Sequence, residues 1–321
     1  MNKSNLTFSI VLPVYNREKL ILQSLDCIKQ QTYRPIQLII VDDGSTDNTK
    51  EVVEQWAKKN EEENQLVVHY KHQRNAGPSA ARNEGIDAVE GKYVQFFDSD
   101  DFMHPNRLAV LAETFEKQQA DFIQTGFEGF DADTNEIIQT NFGKPGEDQF
   151  ELALKGRFWA NTLRAALTTE LVKRVGYWNT EMTCFEDREY MERAVAIAEK
   201  PVAIREVLAS ARRGGSARIS DKLKSYEGRT WRIHCEARLA KFLKEKQAEV
   251  SEDAKRAFVS RIYALGFRSN AMGWTDLGKR CGEIVKDIPV QLDWKGKKRY
   301  WVWRSGKLGG WLHVKLAALL K

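Results

Sequence analysis

The acidic run Asp98-Ser99-Asp100-Asp101 is the part of the sequence whose residue types point most directly to chemistry. It follows the apolar segment Tyr93 to Phe97, which is typical of a short strand, so three carboxylates must lie together where that strand ends. Their mutual repulsion is costly unless a cation is bound, and Mg²⁺ and Mn²⁺ prefer hard oxygen ligands from carboxylates, phosphates and water. The alternative is an acidic cap for the helix predicted just after Pro105. We favour the metal because a cap needs only one such residue.

A second acidic pair, Asp42-Asp43, is followed by Gly44-Ser45 and also comes at the end of an apolar segment. Its carboxylates could accept hydrogen bonds from a nucleobase or a ribose. Asp and Gly are equally typical of turns, so both interpretations stay open for the pair taken alone. Two acidic strand ends in one sheet favour a binding site.

Two later segments also carry groups that could act on a substrate. Glu186-Asp187 opens a predicted helix, where acidic residues complement the helix dipole, and the residues alone favour that structural role. The run from Arg212 to Arg218 combines three arginines with two glycines and could close over a diphosphate. A solvated loop is an equal alternative for this run.

The elements that must position these groups alternate between strand and helix. Apolar runs predict four strands, and stretches of helical spacing between them predict three helices, the first with Asn16 as its N-cap. The strands are predicted at Phe8–Val14, Ile36–Val41, Leu66–Tyr70 and Tyr93–Phe97, and the later helices at Thr46–Lys59 and Ser79–Val89. This βαβαβαβ order predicts an α/β fold, a mainly parallel sheet flanked by helices that binds ligands at the carboxyl ends of its strands.

Four motifs in a fixed order carry a resemblance to a known family. They are Ser9-Ile10-Val11-Leu12-Pro13-Val14-Tyr15-Asn16, Ile39-Ile40-Val41-Asp42-Asp43-Gly44-Ser45-Thr46-Asp47, Asn75-Ala76-Gly77 with Ala81-Arg82-Asn83-Glu84-Gly85-Ile86, and Phe97-Asp98-Ser99-Asp100-Asp101. Each motif alone is weak to moderate, but four in register are specific. The chain resembles the family 2 glycosyltransferases, inverting enzymes with the A-type nucleotide-diphospho-sugar transferase (GT-A) fold, over roughly residues 7 to 205.

The resemblance implies a nucleotide site at the strand ends. Asp42 and Asp43 would contact the base or the ribose, and Arg82 would contact the nucleotide. The full set implied for nucleotide binding is Pro13, Tyr15, Asn16, Asp42, Asp43, Arg82, Asp98 and Ser99.

The resemblance also assigns the metal site and the catalytic base. Asp98 and Asp100 would form a DxD pair, with Asp100 the more direct ligand of Mn²⁺ or Mg²⁺ through the diphosphate. Asp101 would only cap the next helix. Asp187 would take the proton from the acceptor hydroxyl as its oxygen attacks the anomeric carbon.

The implied activity is transfer of a hexosyl or N-acetylhexosaminyl group from a nucleotide-diphosphate sugar, a UDP-sugar, to a hydroxyl. The acceptor would be a carbohydrate or a lipid-linked molecule in cell-surface polysaccharide or glycoconjugate synthesis. The alternative is a non-catalytic protein that binds sugar nucleotides or nucleic acid. The ordered acidic strand ends have no place in nucleic-acid binding, so no nucleic-acid partner is expected.

Charge and aromatic content divide the chain into two parts. Residues 1 to 199 carry 22 Lys and Arg against 33 Asp and Glu, and residues 200 to 321 carry 28 against 12. Six of the nine tryptophans lie in the second part. We predict a catalytic domain over residues 1–220 and a basic, Trp-rich, mostly helical appendage over 221–321.

Location and assembly follow less directly. No apolar stretch approaches the ~18 residues that span a bilayer, and the polar N-terminus lacks a secretory pattern, so a cytoplasmic location is expected. The segment 295–321 mixes aromatic and basic residues and could contact the inner face of an anionic membrane, or dock on the protein or on a second subunit of a homo-oligomer. The four separated cysteines predict reduced, buried thiols.

Overall fold

The order of strands and helices in the first third follows the alternation predicted from the sequence. The computed structural model describes residues 7–60, 65–158, 161–213, 224–293, 296–297, 300 and 303. Four strands alternate with three helices, in the order β1 (Phe8–Val14), α1 (Ile21–Lys29), β2 (Ile36–Asp42), α2 (Thr49–Asn60), β3 (Leu66–His72), α3 (Pro78–Asp87) and β4 (Tyr93–Phe96). The predicted α/β alternation is therefore confirmed.

The first helix begins later than predicted. Helix α1 starts at Ile21 with Leu20 at its N-cap. Asn16, predicted as the cap, instead has a φ of 50°, and its Oδ1 accepts a hydrogen bond from the backbone N–H of Thr46 at 2.8 Å. The side chain is engaged by the loop after β2, so it does not cap the helix.

The remaining elements extend the sheet and then end in helices. They are β5 (Phe102–Met103), α4 (Arg107–Gln118), β6 (Phe122–Asp131), β7 (Ile137–Asn141), α5 (Gln149–Leu154), β8 (Ala165–Thr168), α6 (Thr169–Val175), α7 (Glu186–Ile197), β9 (Pro201–Arg213), α8 (Tyr226–Glu245), α9 (Glu252–Ala271) and α10 (Thr275–Val285).

Within the described residues the strands form one mixed sheet. Its order is β3-β2-β1-β4-β8-β6-β9-β5, with β7 paired to β6. The pairs β3–β2, β2–β1 and β1–β4 are parallel, whereas β8 runs antiparallel to both β4 and β6. Every residue of β1 and β2 is buried, as expected of central parallel strands covered on both faces.

The chain divides into two compact units. The described residues within Met1–Glu147, Ala160–Met182 and Glu186–Ala217 form the first unit, which contains the whole sheet. Those within Asp148–Trp159, Thr183–Phe185 and Arg218–Lys321 form the second, which is helical. The domain boundary after residue 220 stays a prediction.

Little of the aromatic, basic segment 295–321 belongs to the described residues. Of its aromatic residues, Tyr300 and Trp303 are described, and both rings lie against the ring of Tyr263 on α9, with centroids at 5.2 and 5.3 Å. The Nε1–H of Trp303 donates to the carbonyl oxygen of Gly278 on α10 at 3.1 Å. Trp303 therefore docks on the helices of its own unit, and the rest of the predicted membrane-contact segment lies outside the described residues.

Two further sequence predictions concern burial. All four cysteines are buried and free of disulfides. Among the residues that the structure describes, no helix is both long enough and apolar enough to cross a bilayer.

Candidate active site

The carboxyl ends of three neighbouring strands bring most of the predicted site residues to one edge of the sheet. Strands β2, β1 and β4 are adjacent and parallel, and Val14 of β1 is in register with Asp42 of β2. The residues that follow these strands therefore meet at that edge. They are Tyr15 and Asn16 after β1, Asp42 and Asp43 at the end of β2, and Asp98, Ser99 and Asp100 after β4.

Asp98 is held by hydrogen bonds to both of its carboxylate oxygens. The Nη2 of Arg82 on α3 donates to Oδ1 at 2.8 Å, and the Oγ1 of Thr162 donates to Oδ2 at 2.9 Å. Ser99, which follows it, is buried. A carboxylate fixed from both sides has a defined orientation, which suits a group that must meet a ligand at one angle.

Asp100 is a half-buried member of the acidic cluster. Its side chain is 40% exposed, and its Oδ2 lies 3.7 Å from the Nη2 of Arg17. Partial burial and the charge of Asp98 raise its pKa, although Arg17 and Arg212 oppose that rise. Asp100 is therefore accessible to a ligand that enters from solvent. The carboxylate of Asp98 repels it, as the sequence predicted.

Asp101 does not cap the next helix. The short strand β5 follows it directly, and α4 begins at Arg107 with Asn106 at its N-cap. Burial, together with the charges of Asp98 and Asp100, raises the pKa of Asp101 well above its usual value. The prediction that Asp101 caps a helix is wrong because the strand pairs with β9 before the helix can begin.

The donor set suits a divalent cation that also binds the substrate. Among the described residues, no group of three or more His, Cys, Asp and Glu side chains could hold a metal ion. The cluster offers the half-exposed carboxylate of Asp100 beside Asp98, which are hard oxygen ligands. Mg²⁺ and Mn²⁺ are commonly bound by one or two carboxylates with substrate phosphates and water, so these residues fit that cofactor.

Arg82 occupies the centre of the site among three carboxylates. It is 4% exposed, and besides Asp98 it lies near Glu186 and Asp187 of α7. Burial alone would lower the pKa of its guanidinium, but these three acids together raise it. Its Nε and Nη1 are buried and have no hydrogen-bond partner among the described residues.

A stack of flat side chains supports Arg82. Its guanidinium lies over the ring of Trp178 at 4.6 Å, and that ring is parallel to the ring of Tyr190 with centroids at 4.0 Å. The guanidinium of Arg193 lies over the ring of Tyr190 at 5.2 Å. Cation–π contacts and buried ring stacking both fix side-chain orientation, so this stack sets the plane of the Arg82 guanidinium.

Asn83 holds the segment that carries Trp178. Its Nδ2 donates to the Trp178 carbonyl at 3.0 Å, and its Oδ1 accepts from the Trp178 N–H at 2.8 Å. Sequence reasoning missed both Trp178 and Thr162, because 95 residues separate Trp178 from Asn83 and 64 separate Thr162 from Asp98. No local spacing reports such contacts.

Asp187 has the properties of a base that works near neutral pH. It is the second residue of α7, and the residue before the helix, Phe185, has a φ of 64°. Burial, and then the neighbouring charge of Glu186, raise the pKa of Asp187 to about 6. A carboxyl in such surroundings is a stronger base than an ordinary Asp, and this favours proton transfer over a purely helix-stabilising role.

Asp42 and Asp43 are both buried and already accept hydrogen bonds. Asp42 accepts from the Ser45 N–H at 2.7 Å and from the Tyr70 hydroxyl at 2.7 Å. Asp43 accepts from Gln73 Nε2 and from the N–H groups of Ala76 and Gly77. These bonds give the pair the turn role. Asp43 Oδ1 accepts two of them, whereas Asp43 Oδ2 and both oxygens of Asp42 accept one each and retain a second lone pair.

The residues at the end of β1 differ in exposure. Pro13 is buried within the strand, whereas the side chain of Tyr15 is 44% exposed and can offer its ring to a flat ligand. The backbone N–H of Asn16 donates to Ser45 Oγ at 2.9 Å. Tyr15 is thus the residue of this group that a nucleotide base could contact directly.

Only the first two arginines of the predicted Arg212–Arg218 run belong to the described residues. Arg212 lies at the end of β9, and its guanidinium lies over the rings of Phe102 and Phe130. Its charge lowers the pKa of Asp100, which puts it near the acidic cluster. The remainder of the run, which includes Arg218, lies outside the described residues.

A protein-family model and several sequence relatives match the chain. The model described as glycosyl transferase family 2 matches residues 9–180, more than half of the 321 residues. The uncharacterized glycosyltransferase EpsJ of Bacillus subtilis is 37% identical over 119 residues, 37% of this chain and 33% of the relative. The uncharacterized glycosyltransferase YibD of Escherichia coli is 30% identical over 171 residues, 51% of this chain and 48% of the relative. The chain thus matches less than half the length of these relatives.

Solved structures share the fold at low sequence identity. Residues 1–349 of S. aureus TarS, in complex with UDP-GlcNAc, match with a TM-score of 0.71 at 18% identity, over 96% of this chain and 89% of that 1–349 chain. The mannosyltransferase PcManGT of Pyrobaculum calidifontis, in complex with GDP-Man and Mn²⁺, matches with a TM-score of 0.51 at 16% identity, over 97% and 86% of the two chains. At such identities the likeness establishes the GT-A fold.

Proposed function

Because the chain belongs to glycosyl transferase family 2, we propose that it is an inverting, metal-dependent glycosyltransferase. It moves a hexosyl or N-acetylhexosaminyl group from a UDP-sugar to a hydroxyl of a carbohydrate or lipid-linked acceptor, in cell-surface polysaccharide or glycoconjugate synthesis. The observation that carries this proposal is the buried Arg82 among Asp98, Glu186 and Asp187, at the edge where the parallel strands end.

The donor nucleotide binds along the strand ends. Tyr15 offers its exposed ring to the base, and Asp42 and the Oδ2 of Asp43 accept from the base or the ribose. The guanidinium charge of Arg82 attracts the phosphates. Pro13, Asn16, Asp98 and Ser99 complete the nucleotide site.

Asp100 and Asp98 hold the divalent cation, Mn²⁺ or Mg²⁺. Bound there, the cation supplies neutralising charge to the diphosphate, which makes the nucleoside diphosphate a better leaving group. The two carboxylates thereby lose the mutual repulsion that raises the pKa of Asp100. Arg82 donates to Asp98 Oδ1 and keeps that carboxylate oriented.

Asp187 is the general base. With a pKa of about 6 its carboxylate is ionised at neutral pH and is basic enough to accept the proton of the acceptor hydroxyl. The acceptor oxygen forms its bond to the anomeric carbon while the bond to the diphosphate oxygen breaks. Attack from the face opposite the leaving group inverts the anomeric configuration.

The solved structures of similar fold support the choice of donor and cofactor. TarS was solved with UDP-GlcNAc and PcManGT with GDP-Man and Mn²⁺, so this fold accommodates nucleotide-diphosphate sugars and a divalent metal. A cytoplasmic location, with peripheral contact at the inner face of the membrane through residues 295–321, belongs to the same proposal. It would bring the enzyme to lipid-linked acceptors.

The experiment is a UDP-release assay over a panel of UDP-hexoses and UDP-N-acetylhexosamines in Mn²⁺, with NMR of the sugar product. The proteins are wild type, Asp187→Asn and, as the control, Asp133→Asn at an exposed turn. We expect one donor to release UDP and yield the inverted anomer, and Asp187→Asn to slow release at least ~100-fold while UDP binds as before.

Two results would contradict the proposal. An unchanged rate in Asp187→Asn removes the assigned base. Tight UDP binding without release from any donor, in the presence of candidate acceptors, supports the non-catalytic sugar-nucleotide binder instead.

A further inference from the structure

The helical second unit contains a cavity lined mainly by cationic side chains. Its volume is about 430 Å³, and all of its lining residues belong to that unit. Two acids line it, Asp253 and Asp293. The six cations are Lys155, Arg229, Arg232, Arg256, Arg261 and Arg268.

Half of these cations are already matched by carboxylates. Lys155 lies 2.9 Å from Glu151 and 3.4 Å from Asp253. Arg261 and Arg232 share the fully buried Glu236, at 2.8 and 3.9 Å. These pairs account for the structural part of the charge, and they fix the walls of the cavity.

The other three arginines are not matched. Within the described residues, no carboxylate oxygen lies within 4.0 Å of a guanidinium nitrogen of Arg229, Arg256 or Arg268. The Nε of Arg229 is also buried without a hydrogen-bond partner. Burial and the charge of Arg268 both lower the pKa of Arg229, so these two cations repel each other. Residues 294–321 contain no Asp or Glu that could offset this charge.

The helices keep the space between these arginines open. Ala257, Ser260 and Ala264 of α9 line the cavity between Arg256 and Arg268 with small side chains. Twelve residues of helix separate the two arginines, so they are about 18 Å apart along the axis. Arg229 approaches from α8. Cations at separated points around an open volume suit a ligand that carries more than one negative group.

We infer that this cavity is a binding site for a soluble ligand with two or more phosphate groups, in addition to the site at the strand ends. Guanidinium groups bind phosphate oxygens through paired, charge-assisted hydrogen bonds. A concave site walled by two helices fits a phosphate group that enters it, whereas a membrane surface would require an exposed, flat array. The phosphates take the place of the carboxylates that Arg229, Arg256 and Arg268 lack.

The test uses inorganic pyrophosphate as the probe, titrated calorimetrically into the full chain in EDTA. The variant Arg229→Gln/Arg268→Gln removes two cavity cations. Lys241→Gln/Lys279→Gln is the matched control, because both lysines are exposed and lie outside the cavity lining of the same unit. Arg82→Gln reports pyrophosphate that binds at the strand ends instead.

We expect wild type and the lysine variant to bind pyrophosphate with similar Kd, and the cavity variant to bind at least about tenfold more weakly. Arg82→Gln should retain binding at the cavity, whatever it loses at the strand ends. Circular dichroism and a second variant, Arg229→Lys/Arg268→Lys, separate loss of the site from loss of the fold, since the lysine substitutions should retain part of the affinity. The inference is overturned if wild type does not bind, if the lysine control loses as much as the cavity variant, or if only Arg82→Gln loses binding. Vesicles of phosphatidylglycerol test the membrane alternative. If wild type binds these vesicles but not pyrophosphate, and the cavity variant loses vesicle binding, the surface contacts a membrane instead.

Discussion

At the scale of single residues, the site is organised around Arg82 rather than around the acidic cluster alone. The cluster was predictable, because polar residues that follow parallel strands must meet at one edge of the sheet. The partners that orient it were not. Thr162 and Trp178 reach the site from distant parts of the chain, and a threonine or a tryptophan in isolation carries no signal for such a contact.

The pKa of Asp187 predicts how activity depends on pH. The base must be ionised, and its folded-state pKa is raised to about 6, so kcat/KM should fall as pH decreases through about 6 and level off above it. Glu186→Gln removes the second-largest cause of the raised pKa and should move this inflection to lower pH. The measurement is a profile of kcat/KM against pH, from about pH 4.5 to about pH 9, for both proteins.

An inflection near the ordinary pKa of Asp in the wild type would contradict this assignment. So would an inflection that stays in place when Glu186 loses its charge. Either result would mean that another group controls the ionisation seen in turnover.

The stack beneath Arg82 predicts a binding defect. Trp178→Leu removes the cation–π contact and the ring that lies parallel to Tyr190, so the guanidinium loses its fixed plane. We expect KM for the UDP-sugar to rise roughly 3- to 30-fold, as expected for the loss of ~0.5–2 kcal/mol, with a smaller change in kcat. Steady-state kinetics on the purified variant measure both.

Tyr93→Leu is the matched control, because Tyr93 is equally buried and stacks on Phe115 with centroids at 4.1 Å, outside the site. It should lower stability without a comparable rise in KM. Equal effects of the two substitutions on KM would show that general loosening of the fold, and not the support of Arg82, is responsible.

At the scale of elements, short loops between strands and helices do the positioning. Asp43, at the end of β2, accepts hydrogen bonds from the loop that leads into α3, so the helix carrying Arg82 is tied to the strand carrying the acidic pair. Continuous apolar runs predicted the strands, and helical spacing of apolar residues predicted the helices. The helical spacing did not predict the late start of α1, because the positive φ of Asn16 and its bonds to the next loop depend on a neighbouring strand.

Gly44 is required in the loop between β2 and α2. Its φ is +81°, and a Cβ there would lie 2.8 Å from the backbone nitrogen of Asn75. We expect Gly44→Ala to lower the free energy of unfolding by more than the ~1–2 kcal/mol that a left-handed conformation costs alone. It should also weaken UDP binding because the Asn75 loop must shift.

Gly146→Ala serves as the comparison, since its φ is +77° but nothing lies within 4 Å of the added carbon. Urea unfolding of the two variants separates the clash from the backbone cost. Equal destabilisation by both would contradict the close approach of the two loops.

At the scale of the whole molecule, the change in charge along the sequence corresponds to two units of different architecture. Residues 1–199 supply strands β1 to β8, and the described part of residues 200–321 supplies β9 and the helices α8, α9 and α10. The sequence did not predict that Asp148–Trp159 and Thr183–Phe185 belong to the second unit. The apolar residues of a short helix such as α5 indicate that one of its faces is buried, but they do not indicate which unit covers that face.

The contact of residues 295–321 with a membrane stays a prediction. Full-length protein should co-sediment with anionic vesicles more than a chain truncated after residue 294, since the removed segment carries basic and aromatic side chains together. Neutral vesicles are the control for charge. Equal pelleting of the two chains would contradict the membrane contact and leave docking within the protein, as seen for Trp303, as the role of the segment.

Metal-assisted binding of a nucleoside diphosphate at the strand ends is the central claim, and calorimetric titration of UDP tests it most directly. The titrations compare Mn²⁺ with EDTA for wild type, Asp100→Asn and the exposed-turn control Asp133→Asn. We predict that Mn²⁺ tightens UDP binding at least about tenfold in wild type and in the control, and that Asp100→Asn loses this gain while its metal-free affinity is retained. UDP binding that is independent of metal and unaffected by Asp100→Asn would contradict the claim.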